Sequence, residues 1–337
     1  MRPADALDRI VYLLDRALAE TQKVRAFARA RDVVDEVGDG EVEHLHAAGK
    51  LTDLPGIGAT TARVIAQALD GGVPDYLAHL EDETVIPLGD GAELRAALRG
   101  DCHTHSTWSD GGASIEKMAR TAQALGHEYM VLTDHSPRLT IAHGLNAERL
   151  RAQLDEVAAL NEALAPFRIL TGIEVDILED GALDQRDDLL ARLDVVVASV
   201  HSKLRMERME MTRRMVAAVA SPHVDILGHC TGRKLVGRGR PPSVFDADIV
   251  FAACAQFDTA IEINCRPERQ DPPDELVDLA IEWDLRFAID TDAHAPGQME
   301  WQAYGCDKAA LHGIDPGQVV NAMSADDLVA WAATHAA

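Results

Sequence analysis

From Leu98 to His294, short runs of aliphatic and β-branched residues alternate with longer amphipathic stretches, and nearly every run closes on His, Asp or Glu. The runs lie near 98–105, 129–135, 167–177, 195–201, 224–230, 260–265 and 286–294. Apolar periodicity predicts helices between them over 114–125, 147–164, 207–220, 246–257 and 273–284. Strict strand–helix alternation leads to a parallel sheet with helices outside it, and seven units in series predict a closed, TIM-like α/β barrel. A barrel of this kind gathers the residues at the C-terminal ends of its strands into one mouth.

Nine side chains at those ends can ligate a metal: His103, His105, Asp110, His135, Glu174, His201, His229, Asp292 and His294. His103 and His105 are two apart and share a face of an extended strand, as do Asp292 and His294. Imidazoles mixed with carboxylates suit Zn²⁺, Mn²⁺ or Fe, whereas sites built of oxygen alone suit Mg²⁺ or Ca²⁺. Six histidines therefore favour a transition metal. The other eight, His44, His46, His79, His127, His143, His223, His312 and His335, read as structural. Asp134, next to His135, is expected either to orient that ligand or to cap a strand end.

Residues 1–83 have helical periodicity throughout, with Ile10, Leu13, Leu14, Ala17 and Leu18 on one face of a first helix. Leu54-Pro55-Gly56-Ile57-Gly58-Ala59 reads as a glycine hairpin that leaves backbone N–H groups free at a helix start. It resembles the helix-hairpin-helix motif, which implies that Gly56 and Gly58 hold a DNA phosphate with help from Arg63. A tight helix–helix turn without a ligand is the alternative. Arg16, Lys23, Arg25, Arg29 and Arg31 form a basic segment that could meet the same backbone or be a solvated face. Pro87, Gly89 and Gly91 mark a linker over 84–97, and the barrel domain is expected over 98–337. Asp315 to Ala337 reads as helical, closing the barrel or making contacts.

The formal charge of −24, from 56 acidic and 32 basic residues, argues against bulk electrostatic attraction to DNA or anionic membranes, so any nucleic-acid contact must be local. No apolar run approaches the roughly 20 residues of a membrane helix, and Met1 to Asp5 do not open a secretory signal. Cytoplasm is the expected compartment. Five scattered cysteines without a Cys-x-x-Cys suit reduced thiols. Cys102 is read as a small buried hydrophobe on the strand face opposite His103 and His105.

Over about residues 98–312 the chain resembles the polymerase and histidinol phosphatase (PHP) superfamily, whose four motifs match His103-x-His105 with Asp110, Thr133-Asp134-His135, Ser199-Val200-His201, and Asp292-x-His294. The resemblance implies a distorted seven-stranded (β/α)7 barrel with three divalent ions at its mouth, Zn or Mn foremost and Fe or Mg as alternatives. His103, His105, Glu174 and Asp292 would hold the first ion, Asp110, His135 and His294 the second, and His201 and His229 a third that shares Glu174. It implies a phosphoester hydrolase in which hydroxide bridging two ions attacks phosphorus, with Asp292, Glu174 and His103 central to catalysis. Arg269 is the expected contact to phosphoryl oxygens, followed by Arg233 and Lys203.

His229-Cys230-Thr231-Gly232-Arg233 and Glu262-Ile263-Asn264-Cys265-Arg266-Pro267-Glu268-Arg269 narrow the resemblance to the C-terminal PHP domain of bacterial family-X DNA polymerases. The helical N-terminus resembles the N-terminal domain of the same enzymes, while their polymerase palm is missing and about ten residues of linker stand in its place. Cys230 replaces a frequent proline. The helix expected over Ala59 to Leu69 lacks the lysine that family-X lyases use, so lyase activity is not expected. DNA 3′ ends are the leading substrate, through 3′–5′ exonuclease or 3′-phosphatase action. The alternatives are a small-molecule phosphatase, acting on histidinol phosphate or a nucleotide, and a non-catalytic DNA-repair tethering module.

Overall fold

The computed structural model describes residues 1–335; Ala336 and Ala337, the end of the expected C-terminal helical stretch, lie outside the described residues. The chain divides into two units, Met1–Ile86 and a second beginning at Pro87. This boundary splits the expected linker. Residues 87–97 join the second unit because the Asp307 carboxylate accepts the N–H groups of Gly89 and Gly91, each at 2.9 Å.

The first unit contains five helices: α1 (Pro3–Arg16), α2 (Thr21–Val37), α3 (Asp39–Ala47), α4 (Ala59–Leu69) and α5 (Asp75–Glu83). Leu7, Ile10, Leu13 and Leu14 of α1 pack with Phe27 and Val34 of α2, Val64 and Ile65 of α4, and Leu77 of α5. The expected face stops short, since α1 ends at Arg16 and Leu18 adopts φ 51° with its side chain exposed. Gly56 takes φ 101°, and a Cβ there would lie 2.7 Å from Arg29 Nε, so only glycine lets the hairpin pass beneath that side chain.

In the second unit α6 (Ala92–Ala97) and α7 (Ile115–Ala124) precede β1 (Tyr129–Leu132), followed by α8 (Ala147–Leu164) and β2 (Arg168–Asp176). Then come α9 (Asp187–Leu190), β3 (Val195–Ser199), α10 (Arg208–Val219), β4 (Ile226–Leu227), α11 (Ala247–Phe257), β5 (Ala260–Asn264), α12 (Asp274–Glu282), β6 (Phe287–Asp290), α13 (Gln302–Leu311) and α14 (Ala325–Ala332). Side-chain caps fix several helix starts: Asn146 accepts from Glu148 and Arg149 N–H at α8, Ser114 caps α7 and Asp246 caps α11.

All six strands are parallel and pair in chain order. The seventh strand expected near 98–105 is not a regular strand. Its Thr104 bridges to Leu132, the last residue of edge strand β1, and to Ala293, just past edge strand β6, so the segment joins the two edges. Side chains take the place of ladder partners along it: Cys102 N donates to Asp290 Oδ1, His103 N to Asp101 Oδ1 and Thr104 N to Thr133 Oγ1. A bend at Cys102 also overturns the expected alternation. The Cys102 side chain is buried against Val131, Val197 and Ala288 inside the barrel, although His103 also points inward. All five cysteines are unpaired and buried.

Leu328 and Trp331 of α14 pack against Tyr129, Leu170, Val195, Ile226 and Ala260, which begin the strands or lie one turn of the pleat inside them. The C-terminal helix therefore seals the N-terminal end of the barrel. Trp331 Nε1 donates to Asp258 Oδ2 at 2.8 Å, just before β5, and His335 Nδ1 lies 2.6 Å from Asp225 Oδ1, just before β4. Burying an apolar side chain such as Leu328 contributes about 1.5–3 kcal/mol. No helix of the described residues is long and apolar enough to cross a membrane.

Candidate metal centre

The inward positions of the strands turn from apolar to polar toward their C-terminal ends. β5 runs Ala260, Glu262, Asn264 along its inner face, and β2 runs Leu170, Gly172, Glu174. A Cβ on Gly228 would lie 2.4 Å from Ser199 Oγ and 2.8 Å from Val197 Cγ1, so glycine lets β4 reach the level at which His229 turns inward.

All nine expected ligands meet at this end. Glu174, with its side chain 1% exposed, is the hub: Oε2 lies 3.3 Å from His103 Nε2, 3.6 Å from His105 Nε2 and 2.8 Å from His135 Nδ1. Its Oε1 lies 3.1 Å from His201 Nε2 and 2.9 Å from His229 Nε2. Asp292 Oδ1 is 3.4 Å from His105 Nε2 and 4.0 Å from His103 Nε2. Asp110, the most exposed of the nine, lies 3.5 Å from His135 Nε2 and 3.4 Å from His294 Nε2.

Three overlapping groups are compact enough to hold a metal ion: His105, Asp110, His135 and His294; His103, His105 and Glu174; and His135, Glu174 and His201. The grouping differs from the expected one: His105 and His135 each belong to two groups, and Asp292 and His229, expected on the first and third ions, belong to none. The donor set fits metal ions. The Nε2 atoms of His103, His105 and His201 are buried without a hydrogen-bond partner, a condition that costs about 1–3 kcal/mol per group unless something satisfies it.

A second layer of partners aims these rings. His103 Nδ1 lies 2.6 Å from Glu262 Oε1, which fixes the tautomer that turns a bare Nε2 toward Glu174. The other oxygen of Glu262 accepts the His229 backbone N–H and a bond from Asn264 Nδ2, which also donates to Asp292 Oδ2 at 3.3 Å. His201 N donates to Asp176 Oδ1 at 3.1 Å. His294 Nδ1 is 2.9 Å from both Asp292 O and Arg266 Nη1; donation to the carbonyl is the tautomer that leaves Nε2 free to face Asp110.

Glu262, Asp176 and Arg266 were given no role from sequence. The signal for the first two is register: each sits two residues from an inward-facing position of a buried strand. Asp134 does not bond His135. Its carboxylate gathers Ser106, Ser109 and Gln153, and so holds the loop that carries Asp110.

The expected phosphate contacts separate. Arg269 Nε lies 3.4 Å from Asp292 Oδ2, and its Nε and Nη1 are buried without hydrogen-bond partners. Arg233 is spent on the backbone, donating from Nε to Arg269 O at 3.0 Å and from Nη2 to Gln270 O, and therefore braces the arginine loop. Lys203 is exposed with φ 54°.

At the glycine hairpin Ile57 N donates to Leu54 O and Gly58 N to Thr61 Oγ1, so two of the amides expected to be free are engaged. Arg63 is exposed. The cations nearest the hairpin come from α2 instead: Arg29 crosses Gly56, and Lys23 lines a cavity of about 420 Å³ with Gly56, Gly58 and Thr60. Arg16 and Arg31 of the basic segment bond Thr84 and the Asp8–Asp32 carboxylates.

The electrostatics of the mouth follow from crowding. Burial opposes every charge there, yet His201, His103 and His135 hold the Glu174 carboxyl well below its usual range, and Arg266 with His103 does the same for Asp292. Burial also works against His103, but Glu174, Glu262 and Asp292 raise it well above the usual imidazole value. His201 rises to about 9 against burial, through Glu174 and Asp176. Burial and the neighbouring rings of His294 and His135 push His105 well down, which leaves it neutral and ready to donate a lone pair.

Comparison with known proteins places this arrangement. A family model described as the PHP domain matches residues 101–237, the stretch that carries seven of the nine ligands. The chain is 41% identical over 234 residues to the DNA polymerase/3′-5′ exonuclease PolX of Bacillus subtilis (strain 168), a match covering 69% of this chain and 41% of that protein's length. It is 30% identical over 206 residues to a probable phosphatase of Thermoanaerobacter sp. (strain X514), covering 58% of this chain and 78% of the relative. Among solved structures, the histidinol phosphate phosphatase of Lactococcus lactis subsp. lactis Il1403, complexed with zinc, L-histidinol and phosphate, aligns with a TM-score of 0.45 at 17% identity, covering 65% of this chain and 95% of that one. With the matching stretch built around the same histidines and carboxylates that converge on Glu174, the chain belongs to the PHP family.

Proposed function

We propose that the chain is a metal-dependent phosphoester hydrolase acting on DNA 3′ ends. The observation that carries the hydrolase is the set of buried imidazole nitrogens left without partners around Glu174. His103, His105, Glu174 and Asp292 would hold one divalent ion, Asp110, His135 and His294 a second, and His201, His229 and Glu174 a third, with Zn or Mn the expected metals. Such ions supply Lewis acidity and lower the pKa of water toward neutrality.

The protein's own groups do the rest. Arg269, with two buried donors beside Asp292, would bind a non-bridging phosphoryl oxygen and stabilise charge that grows in the transition state. Arg266 holds the Asp292 carbonyl at 2.8 Å and packs on Trp301, so it keeps the last strand's ligands aimed and is not itself free for substrate. Glu262 holds a proton on His103 Nδ1. Burial of Glu174, His103 and Glu262 excludes bulk water from the hub.

The DNA reading is supported by the likeness to the Bacillus PolX protein and by the cations at the glycine hairpin of the first unit. A small-molecule phosphatase is the second reading, favoured by the relative named a probable phosphatase, of which the chain covers 78%. One assay series separates them: protein loaded with Mn²⁺ or Zn²⁺ is given a phosphomonoester, a phosphodiester and 3′-labelled DNA beside an Asp292→Ala/His294→Ala variant. Shortening of DNA that disappears when residues 1–83 are deleted supports the first reading. Monoesterase activity alone, indifferent to the deletion, supports the second. Absence of any metal-dependent hydrolysis overturns both.

A further inference from the structure

Between His229 and α11 the chain leaves the barrel as an arm, residues 231–243. Its base is closed by Ser243 N donating to Thr231 O at 2.8 Å, and one rung higher Lys234 and Arg240 exchange backbone bonds at 2.9 and 2.8 Å. Gly237 and Gly239, with φ 72° and 62°, make the turn at the tip. The arm is tied to the arginine loop at two places. Leu235 N donates to Glu268 O at 2.7 Å, and Arg233 Nε bonds Arg269 O.

The arm's chemistry is unlike the rest of the chain. Against a net charge of −24, it holds Arg233, Lys234, Arg238 and Arg240 and no acidic residue. Among the described residues no carboxylate forms a salt bridge with any of these four; Arg233 and Arg240 bond backbone carbonyls, and Lys234 and Arg238 are exposed. An unneutralised cationic stripe on an acidic protein focuses anions onto one rim of the mouth. No aromatic ring lies in the arm, so a nucleic-acid strand is held there through its phosphate charge and not by base stacking.

We propose that the arm of residues 231–243 is a rail for the phosphodiester backbone of a single-stranded nucleic acid, with Lys234 and Arg238 holding phosphates next to the one that reaches the metal centre. This inference rests on the reading of that centre as a phosphoester hydrolase. The residues beyond the Lys234–Arg240 rung allow the tip a reach of at most roughly 7–10 Å, that of two to three extended residues. The tie from Arg233 to the Arg269 carbonyl joins the rail to the arginine beside Asp292, so an occupied rail also steadies the phosphate-facing side chain.

The test uses the full chain loaded with Mn²⁺, and labelled oligodeoxythymidine and oligouridine as probes. Binding is followed by fluorescence anisotropy across a salt series for the wild type, for Lys234→Ser/Arg238→Ser, and for the charge-keeping Lys234→Arg/Arg238→Lys. Removing two phosphate contacts lowers the slope of log affinity against log salt by about 1.4, the single-strand value of roughly 0.7 per contact. The charge-keeping variant retains the wild-type slope, DNA and RNA respond alike because the contact is to phosphate, and turnover of p-nitrophenyl phosphate is the same in all three proteins.

An unchanged slope in the serine variant overturns the rail. So does an equal loss in the charge-keeping variant, which would mark a structural role. Hydrolysis of p-nitrophenyl phosphate with no arm-dependent binding leaves the hydrolase standing and the rail refuted, whereas arm-dependent binding without hydrolysis of any substrate supports the rail and removes the catalytic reading.

Discussion

The two ends of the barrel are lined by the same alternate positions of the same strands, yet one end is a dry plug and the other a cluster of nine ligating side chains. At the closed end Val195, Ile226, Ala260 and Ala288 meet Leu328 and Trp331 of α14 in an apolar plug, with polar anchors at its margin to Asp258, Asp225 and, from Asp326 of α14, to Arg168. Two residues further along the strands stand Glu262 and Asp290, and beyond them the ligands. Polar groups accumulate where the chain leaves the sheet and its loops can supply partners. The closed end should thus control stability and leave chemistry alone, and the mouth the reverse.

The largest effect should come from the hub. Replacing Glu174 by Ala removes a carboxylate shared by five imidazoles and should lower metal-dependent hydrolysis on the order of 10⁴-fold, as when one member of a cooperating unit is lost. Denaturant unfolding should show a far smaller change. If the variant instead unfolds and retains its activity per folded molecule, the division of labour between the two ends is wrong.

At the closed end, Trp331→Ala should cost about 3–5 kcal/mol of stability through the lost packing and the cavity left behind, read as a shifted urea midpoint. Its kcat per folded molecule should match the wild type. A pH test addresses the same end: burial, aided by Arg95, pushes His127 down to about 4. Its folded value lies below the unfolded value near 6.5, so the unfolded chain takes up the proton first. Stability is intact above about pH 6.5 and falls as pH drops toward 4, by about 3 kcal/mol. His127→Leu should remove that part of the acid dependence, measured as midpoint against pH beside the wild type.

The smallest effect probes the second layer of the mouth. Glu262→Gln keeps the shape but weakens the grip on His103 Nδ1, and should lower metal affinity about 10–100-fold. Equilibrium dialysis with metal analysis reads this without reference to turnover. A variant with wild-type affinity would show that strand register alone aims His103.

Much of this site was legible because strand ends and ligating residue types coincide in the chain. All but Asp110 of the nine candidate ligands lie at or next to a run whose composition demands burial, so their meeting at one mouth follows from the strand–helix alternation. The seventh strand was misread for a local reason: Asp101, Thr133 and Asp290 satisfy its amides with side chains, a substitution that composition does not reveal. Arg233 was read as a substrate contact because charge shows in sequence, while the carbonyls that occupy it, 36 and 37 residues away, do not. Arg29 and Lys23 were likewise noted as a basic segment, but their nearness to Gly56 depends on how α2 crosses the hairpin.

The order of residue types along the chain was sufficient to determine a parallel α/β architecture, a histidine-rich cluster able to hold metal ions and the family, since hydrophobic period and ligand chemistry are both local properties. Tertiary structure decided which groups pair: that Glu174 is shared by five rings, that Glu262 sets the His103 tautomer, that Arg269 keeps buried donors free while Arg233 turns two of its donors to backbone carbonyls, and that α14 closes the far end. Hydrogen bonds reach only about 3 Å, so the partner of a buried polar group is settled only when distant segments are packed together.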